Sequence, residues 1–236
     1  MDLRSRHLLV VGGSSGIGFA TAKAALAAGA RVTIASRSAD KLKAAADVLG
    51  DGATHGVIDV TDDASIERFF AAGTTYDHVV VTAADVRIAP IRDITVSEAQ
   101  AAMNSKFWGI YRVARAARVA PGGSLGFIAG FRSQRPGPGL ALMSAINAAI
   151  EGLTRGLALD LRPLRVNAVS PALVDTELWS GMAPEARAAM IAKMAAHYPA
   201  GVVGKPDDVA AALLMLATNP YATGTVLMLD GGASLV

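Results

Sequence analysis

The chain has no cysteine. That absence excludes disulfides, thiol catalysis and cysteine-ligated metals, and it suits a reducing compartment, so a cytoplasmic location is expected. Charge is scarce as well: only 18% of residues are charged and the formal net charge is +2. The sequence pI is near 9.0, yet no run of Lys or Arg forms the basic patch that nucleic acid needs, so no nucleic-acid partner is expected. The four histidines, His7, His55, His78 and His197, lack metal-ligand spacing. Each is read as structural or surface, and no metal is expected. No uninterrupted apolar run is long enough to span a bilayer, so no membrane partner is expected. The segment Met1-Asp2-Leu3-Arg4-Ser5-Arg6 leads straight into an apolar run, which predicts neither a secretory h-region nor a transit peptide. What remains is 236 residues, 52% of them hydrophobic, with no linker or repeat. That predicts one domain over 1–236 with a large core.

The stretch that organises the rest is Leu8-Leu9-Val10-Val11-Gly12-Gly13-Ser14-Ser15-Gly16-Ile17-Gly18. It reads as a strand, a turn and the start of a helix. Glycine lets the backbone turn without a Cβ clash and lets a pyrophosphate approach the free amides of a helix N-terminus. Gly18 lets that helix sit close to the strand. The spacing is G-x-x-x-G-x-G, so position and context carry the inference. A glycine turn without a ligand is the plain alternative.

Short apolar runs then alternate with helical patterns, the mark of a parallel sheet with helices on both faces. Helices are expected over about Ile17–Ala28, Asp40–Leu49, Ala64–Ala72, Ser97–Ala117 and Leu140–Leu161. Strands are expected at Arg31–Ala35, Thr54–Ile58, Asp77–Thr82, Ser124–Ala129, Arg165–Val169 and Val226–Leu229. Gly130 to Gly139 is a loop rich in Gly, Pro and Arg.

Several motifs in this order resemble the short-chain dehydrogenase/reductase family along nearly the whole chain. They are Gly12 to Gly18, Asp59 after the third strand, Asn104 in the long helix, Arg165-Val166-Asn167-Ala168-Val169-Ser170-Pro171, and Asp230-Gly231-Gly232. The resemblance implies an α/β fold, a doubly wound Rossmann sheet of seven parallel strands. It also implies a bound nicotinamide dinucleotide, a small-molecule substrate, and a homodimer or homotetramer built through the two long helices.

On that reading Gly12, Ser14, Ser15, Gly16, Ile17 and Gly18 hold the pyrophosphate. The residue ending the second strand faces the adenosine ribose, where an acidic group favours a free 2′-hydroxyl. Here it is Ser36, followed by Arg37. A hydroxyl with a guanidinium suits a 2′-phosphate, so NADP(H) is favoured over NAD(H); a solvated Arg37 is the plain alternative. Asp59 and Val60 are expected at the adenine, or Asp59 caps the next helix, a task open also to Asp62 or Asp63. Ala83 is expected along the cofactor in Val81-Thr82-Ala83-Ala84-Asp85, where relatives commonly carry Asn-Asn-Ala-Gly. Pro171, Val174 and Thr176, in Pro171-Ala172-Leu173-Val174-Asp175-Thr176, are expected at its nicotinamide end. The segment Glu177 to Pro199 either covers a substrate pocket or packs on the body.

The family's chemistry uses a serine, a tyrosine thirteen positions on, a lysine four beyond that, and an upstream asparagine. The serine position is Gly130, the tyrosine position Met143 and the lysine position Asn147. Neither Met143 nor Asn147 exchanges a proton near neutral pH, and Gly130 has no side chain. Asn147 is still expected to hydrogen-bond the ribose hydroxyls. Asn104 is the one member kept, as a catalytic or a structural residue. Ser144, Asp85, Arg132, Ser133 and Arg135 are the nearby candidates for a replacement acid, with Asp85 the best placed, beyond a strand end.

Three functions follow. One is an NADPH-dependent oxidoreductase of atypical mechanism, acting on an acceptor that does not need the usual proton donor, such as a cationic imine, or recruiting another acid. The second is an NADP(H)-binding protein without turnover, a sensor or partner subunit. The third is a non-redox enzyme that uses the same pocket.

Overall fold

The computed structural model describes residues 3–86 and 88–236; Met1 and Asp2 of the amino-terminal segment lie outside them. Seven strands form one sheet: β1 (His7–Val11), β2 (Arg31–Ser36), β3 (Ala53–Val57), β4 (Thr75–Val81), β5 (Arg118–Ile128), β6 (Arg165–Pro171) and β7 (Val226–Leu229). Every pairing is parallel, in the order β3-β2-β1-β4-β5-β6-β7. The helices are α1 (Gly16–Ala27), α2 (Ala39–Leu49), α3 (Asp63–Phe70), α4 (Val96–Met103), α5 (Gly109–Ala116), α6 (Ala141–Asp160), α7 (Pro184–His197) and α8 (Pro206–Thr218).

The apolar strands sort their side chains by parity, because successive Cβ atoms point to opposite faces. Leu9, Val11, Val79, Val81, Leu125 and Phe127 pack with residues of α3, α4, α5 and α6 on one face. Leu8, Val10, Val32 and Ile34 pack with α1 and α2 on the other, where Val80 and Val169 meet α8. Both faces are thus covered, as a parallel sheet requires. Strand order reverses between β1 and β4, which opens a crevice beyond their carboxyl ends.

Several elements depart from the expectation. β5 begins at Arg118 rather than Ser124, because Arg118 and Val119 pair with Thr75 and Tyr76 before the register jumps to His78↔Ser124. The residues between bulge out at Gly122 (φ +77°) and Gly123, whose added Cβ would lie 2.3 Å from the Asp77 carbonyl oxygen. The long helix expected over Ser97–Ala117 is α4 and α5 joined by a wide π turn, Asn104–Trp108. α7 and α8 were not anticipated. α8 is fastened by the buried Arg165, whose guanidinium donates to the carbonyls of Leu216 (2.7 Å), Asn219 (2.9 Å) and Ala217 at its carboxyl end. Asn167 clamps the next turn, donating to the Ala222 carbonyl and accepting from the Thr225 amide. The Arg165-Val166-Asn167 motif therefore does structural work in this fold.

Candidate active site

β1 stops at Val11, and Gly12 turns the chain with φ +89° while its amide bonds the Ala35 carbonyl at 2.7 Å. A Cβ on Gly12 would meet Thr82 Oγ1 at 2.5 Å, and one on Gly18 would meet the Gly12 carbonyl oxygen at 2.2 Å. Only glycine fits at either position. α1 opens from an extended Ser15 with no side-chain cap and no acidic residue in its first turn. Its leading amides therefore face the crevice without a side-chain acceptor, the arrangement an anion uses.

The crevice has a volume of about 680 Å³. It is lined by the expected residues except Asp59, Asn147, Pro171 and Val174. Asp59 accepts from the Thr61 amide (2.9 Å) and hydroxyl (2.7 Å). Burial works against its charge, but the Thr61 hydrogen bonds and the Arg37 and Arg112 charges hold its carboxyl below the usual range. The helix cap is Asp62, which accepts from the Ala64 and Ser65 amides. Pro171 is buried at the end of β6, and Val174 is buried as well. The Val174 carbonyl accepts from Trp179 Nε1 at 3.0 Å. Arg187 of α7 grips Asp175 through two nitrogens, at 3.0 and 2.5 Å. The segment after β6 is so fastened over the crevice mouth, where Thr176, Glu177, Leu178 and Ser180 form part of the wall.

The residues suit a dinucleotide phosphate. The Ser36 hydroxyl is buried with no hydrogen-bond partner among the described residues, an orphaned group beside Arg37. The Arg37 guanidinium stands 3.5 Å from the Asp85 carboxylate, both side chains largely exposed. Asp85, the acid placed best by sequence, is thus turned to the Ser36–Arg37 end of the crevice.

At the other end, Gly130 abuts α6 so closely that an added Cβ would lie 2.6 Å from Asn147 Nδ2. Asn147 is 1% exposed and Met143 stands one turn earlier on the same helix. The remaining candidate acids are engaged or enclosed. Arg132 donates to the Arg135 carbonyl and lies 4.3 Å over the Phe131 ring. Arg135 reaches the Ser234 carbonyl. Ser133 donates to the Gly130 carbonyl and to Glu151. Ser144 is buried, its hydroxyl without a partner among the described residues.

Asn104 donates to the Thr61 carbonyl (3.4 Å) and accepts from Arg112 (2.8 Å). Its side chain ties the π turn to the loop after β3. The residue that the turn delivers to Gly130 and Asn147 is Lys106. Its ammonium donates to the Ala129 carbonyl at 2.9 Å and to Asn147 Oδ1 at 2.7 Å. Burial lowers its pKa to about 8. Sequence reasoning passed it over: Lys106, Gly109, Ile110 and Val113 are all buried, but Lys106 lies inside the π turn, where a count of 3.6 residues per turn does not hold.

The chain matches a family model described as enoyl-(acyl carrier protein) reductase over residues 11–234. It is 31% identical over 253 residues to the short-chain dehydrogenase/reductase malC of Malbranchea aurantiaca, covering 99% of this chain and 96% of the relative. The chain belongs to the short-chain dehydrogenase/reductase family. The solved structure of that relative, described as a reductase/Diels-Alderase, superposes with a TM-score of 0.91 at 29% identity, over 99% of this chain and 98% of it. A small-chain dehydrogenase in complex with NADPH is 33% identical, with a TM-score of 0.81 over 98% of this chain and 99% of that one. An NADPH-bound short-chain oxidoreductase of Pseudomonas aeruginosa PAO1, described as containing an atypical catalytic centre, is 28% identical. Its TM-score is 0.90 over 98% of this chain and 97% of that one. Family membership agrees with the expected Rossmann sheet. Among the described residues, no helix is long and apolar enough to cross a membrane.

Proposed function

We propose that this chain is an NADP(H)-dependent oxidoreductase that delivers hydride to an activated small organic acceptor, by a mechanism without the family's serine, tyrosine and lysine. The cofactor half of the reading rests on the glycine turn, the uncapped start of α1, and Ser36 with Arg37. When bound, the dinucleotide supplies the hydride. Ser36 and Arg37 hold the 2′-phosphate, and the α1 amides hold the pyrophosphate.

The observation that carries the chemistry is Met143 where a phenolic acid belongs, one turn from Asn147 and with no neutral-pH acid beside it on α6. Proton transfer by a placed acid is worth about 10²–10⁴ in rate. An acceptor that is already cationic or conjugated needs less of that help than a plain ketone. The Pseudomonas structure supports the reading, since it binds NADPH and is likewise described as containing an atypical catalytic centre.

The test is an NADPH fluorescence titration followed by single-turnover oxidation against ketone, enone and iminium acceptors. Binding with transfer to the iminium or enone, and none to the ketone, is the expected result. Binding without transfer to any of them would leave a dinucleotide-binding protein, and no binding would remove the cofactor as well.

A further inference from the structure

We propose that Lys106 replaces the family's missing lysine from the opposite wall, donating a hydrogen bond to the nicotinamide-ribose hydroxyls of bound NADP(H). The proposal rests on the dinucleotide reading above. An ammonium has three N–H donors. Two are taken, by the Ala129 carbonyl and Asn147 Oδ1, and the third has no protein partner among the described residues. The side chain is 8% exposed, yet Lys106 lines the crevice. A cation shut away from water with a spare donor, open only to a ligand cavity, is a group awaiting an acceptor.

Among the described residues its surroundings supply no counter-charge. Glu151 on α6 is held by Ser133 and Gln134, and by Arg155. Asp85 beyond β4 faces Arg37. Arg112 of α5 bonds Asp63 and Asn104, and Arg132 beyond β5 bonds the Arg135 carbonyl. Because Asn147 Oδ1 accepts from Lys106, its amide nitrogen is left toward Gly130. Asn147 therefore orients the ammonium in the place where relatives carry the lysine itself.

The placement has a cheap control, since adenosine 2′,5′-bisphosphate occupies the adenosine end and lacks the nicotinamide riboside. Affinities of both ligands are measured by calorimetry for the parent, Lys106→Met and Lys106→Arg. Lys106→Met is expected to weaken NADPH roughly 10- to 100-fold, the range of a hydrogen bond to a charged group. The bisphosphate should change less than about twofold, and Lys106→Arg should recover part of the loss. Equal losses for both ligands, or no loss for either, would overturn the proposal.

A second arm needs no variant. Burial brings the Lys106 pKa to about 8, so the parent's preference for NADPH over the bisphosphate should fall as pH rises from about 7 to 10. A ratio unchanged over that range would also overturn the proposal. Failure of the parent to bind either ligand would sink the dinucleotide reading itself, a separable result.

Discussion

The two ends of the crevice are built to different standards. At the Ser36–Arg37 end the backbone is tight at its two key glycines: Gly12 and Gly18 leave no room for a Cβ, α1 starts uncapped, and Ser36 keeps an orphaned hydroxyl beside Arg37. At the opposite end stand Gly130, Met143 and Asn147, with Lys106 of the π turn bonded to the Ala129 carbonyl and to Asn147 Oδ1. The contrast teaches that holding a dinucleotide and using it are separable. The first depends on backbone geometry that tolerates almost nothing, the second on a few side chains that can be exchanged while the sheet stands.

The sharpest way to break that contrast is to restore the missing groups. Gly130→Ser, Met143→Tyr and Asn147→Lys together would set a new ammonium against Lys106, whose nitrogen is 2.7 Å from Asn147 Oδ1. We therefore expect the combination to need Lys106→Asn as a fourth change. The quadruple variant should reduce simple ketones about 10²–10⁴ times faster than the parent, by loss of NADPH absorbance, with the triple variant well behind. A folded, NADPH-binding quadruple variant that stays inert would show that the ends differ by more than these positions.

A smaller effect reports on the Lys106 end alone. In the folded chain burial lowers its pKa to about 8, against about 10.4 in an unfolded chain. Within that window unfolding takes up a proton, so the folded state gains stability as pH rises from 8 toward 10 and has none of this gain below 8. Chemical denaturation should show the parent gaining on the order of 2–3 kcal/mol over this range relative to Lys106→Met. Parallel curves would mean that the ammonium is as well solvated as a surface lysine.

At the adenosine end, Arg37→Ala should weaken NADPH by roughly 10- to 100-fold and leave NADH nearly unchanged, because only the former carries the phosphate that arginine can clasp. Equal losses would assign Arg37 to the common part of the two cofactors. The smallest effect belongs to Asp85→Asn. It frees Arg37 from a competing carboxylate 3.5 Å away, and since an exposed pair of this kind is weak, NADPH affinity should rise by no more than about fivefold. A fall in affinity would mean that Asp85 assists the ligand.

The sheet was legible because parallel strands buried on both faces read as unbroken apolar runs, as Leu8 to Val11 and Val79 to Val81 do. The glycine turn was legible for a related reason: glycines at fixed spacing report a backbone constraint, and Gly12 and Gly18 are closed to a Cβ. Lys106 was not, because helical counting assumes about 3.6 residues per turn, and the π turn at Asn104–Trp108 breaks that count. For Asp85 the sequence showed the position beyond β4 but not the direction. A residue at a strand's carboxyl end can face either end of a long crevice, and only the Arg37 contact shows which. β5 begins earlier than the expected Ser124, because Pro121-Gly122-Gly123 forms a bulge inside the strand rather than its start.

The π turn also sets how this region can change by inheritance. A wide turn holds one residue more than the α-helix it interrupts, so α4 and α5 are out of phase by about 100°. α5 is pinned to the sheet side, since a Cβ on Gly109 would already press within 2.9 Å of Val60. Loss of a single codon within Asn104–Trp108 would therefore rewind the helix and turn α4 against its neighbours, withdrawing Lys106 from Asn147 in one step. No point substitution has that reach, and the length of this turn is as much a determinant of the site as any side chain in it.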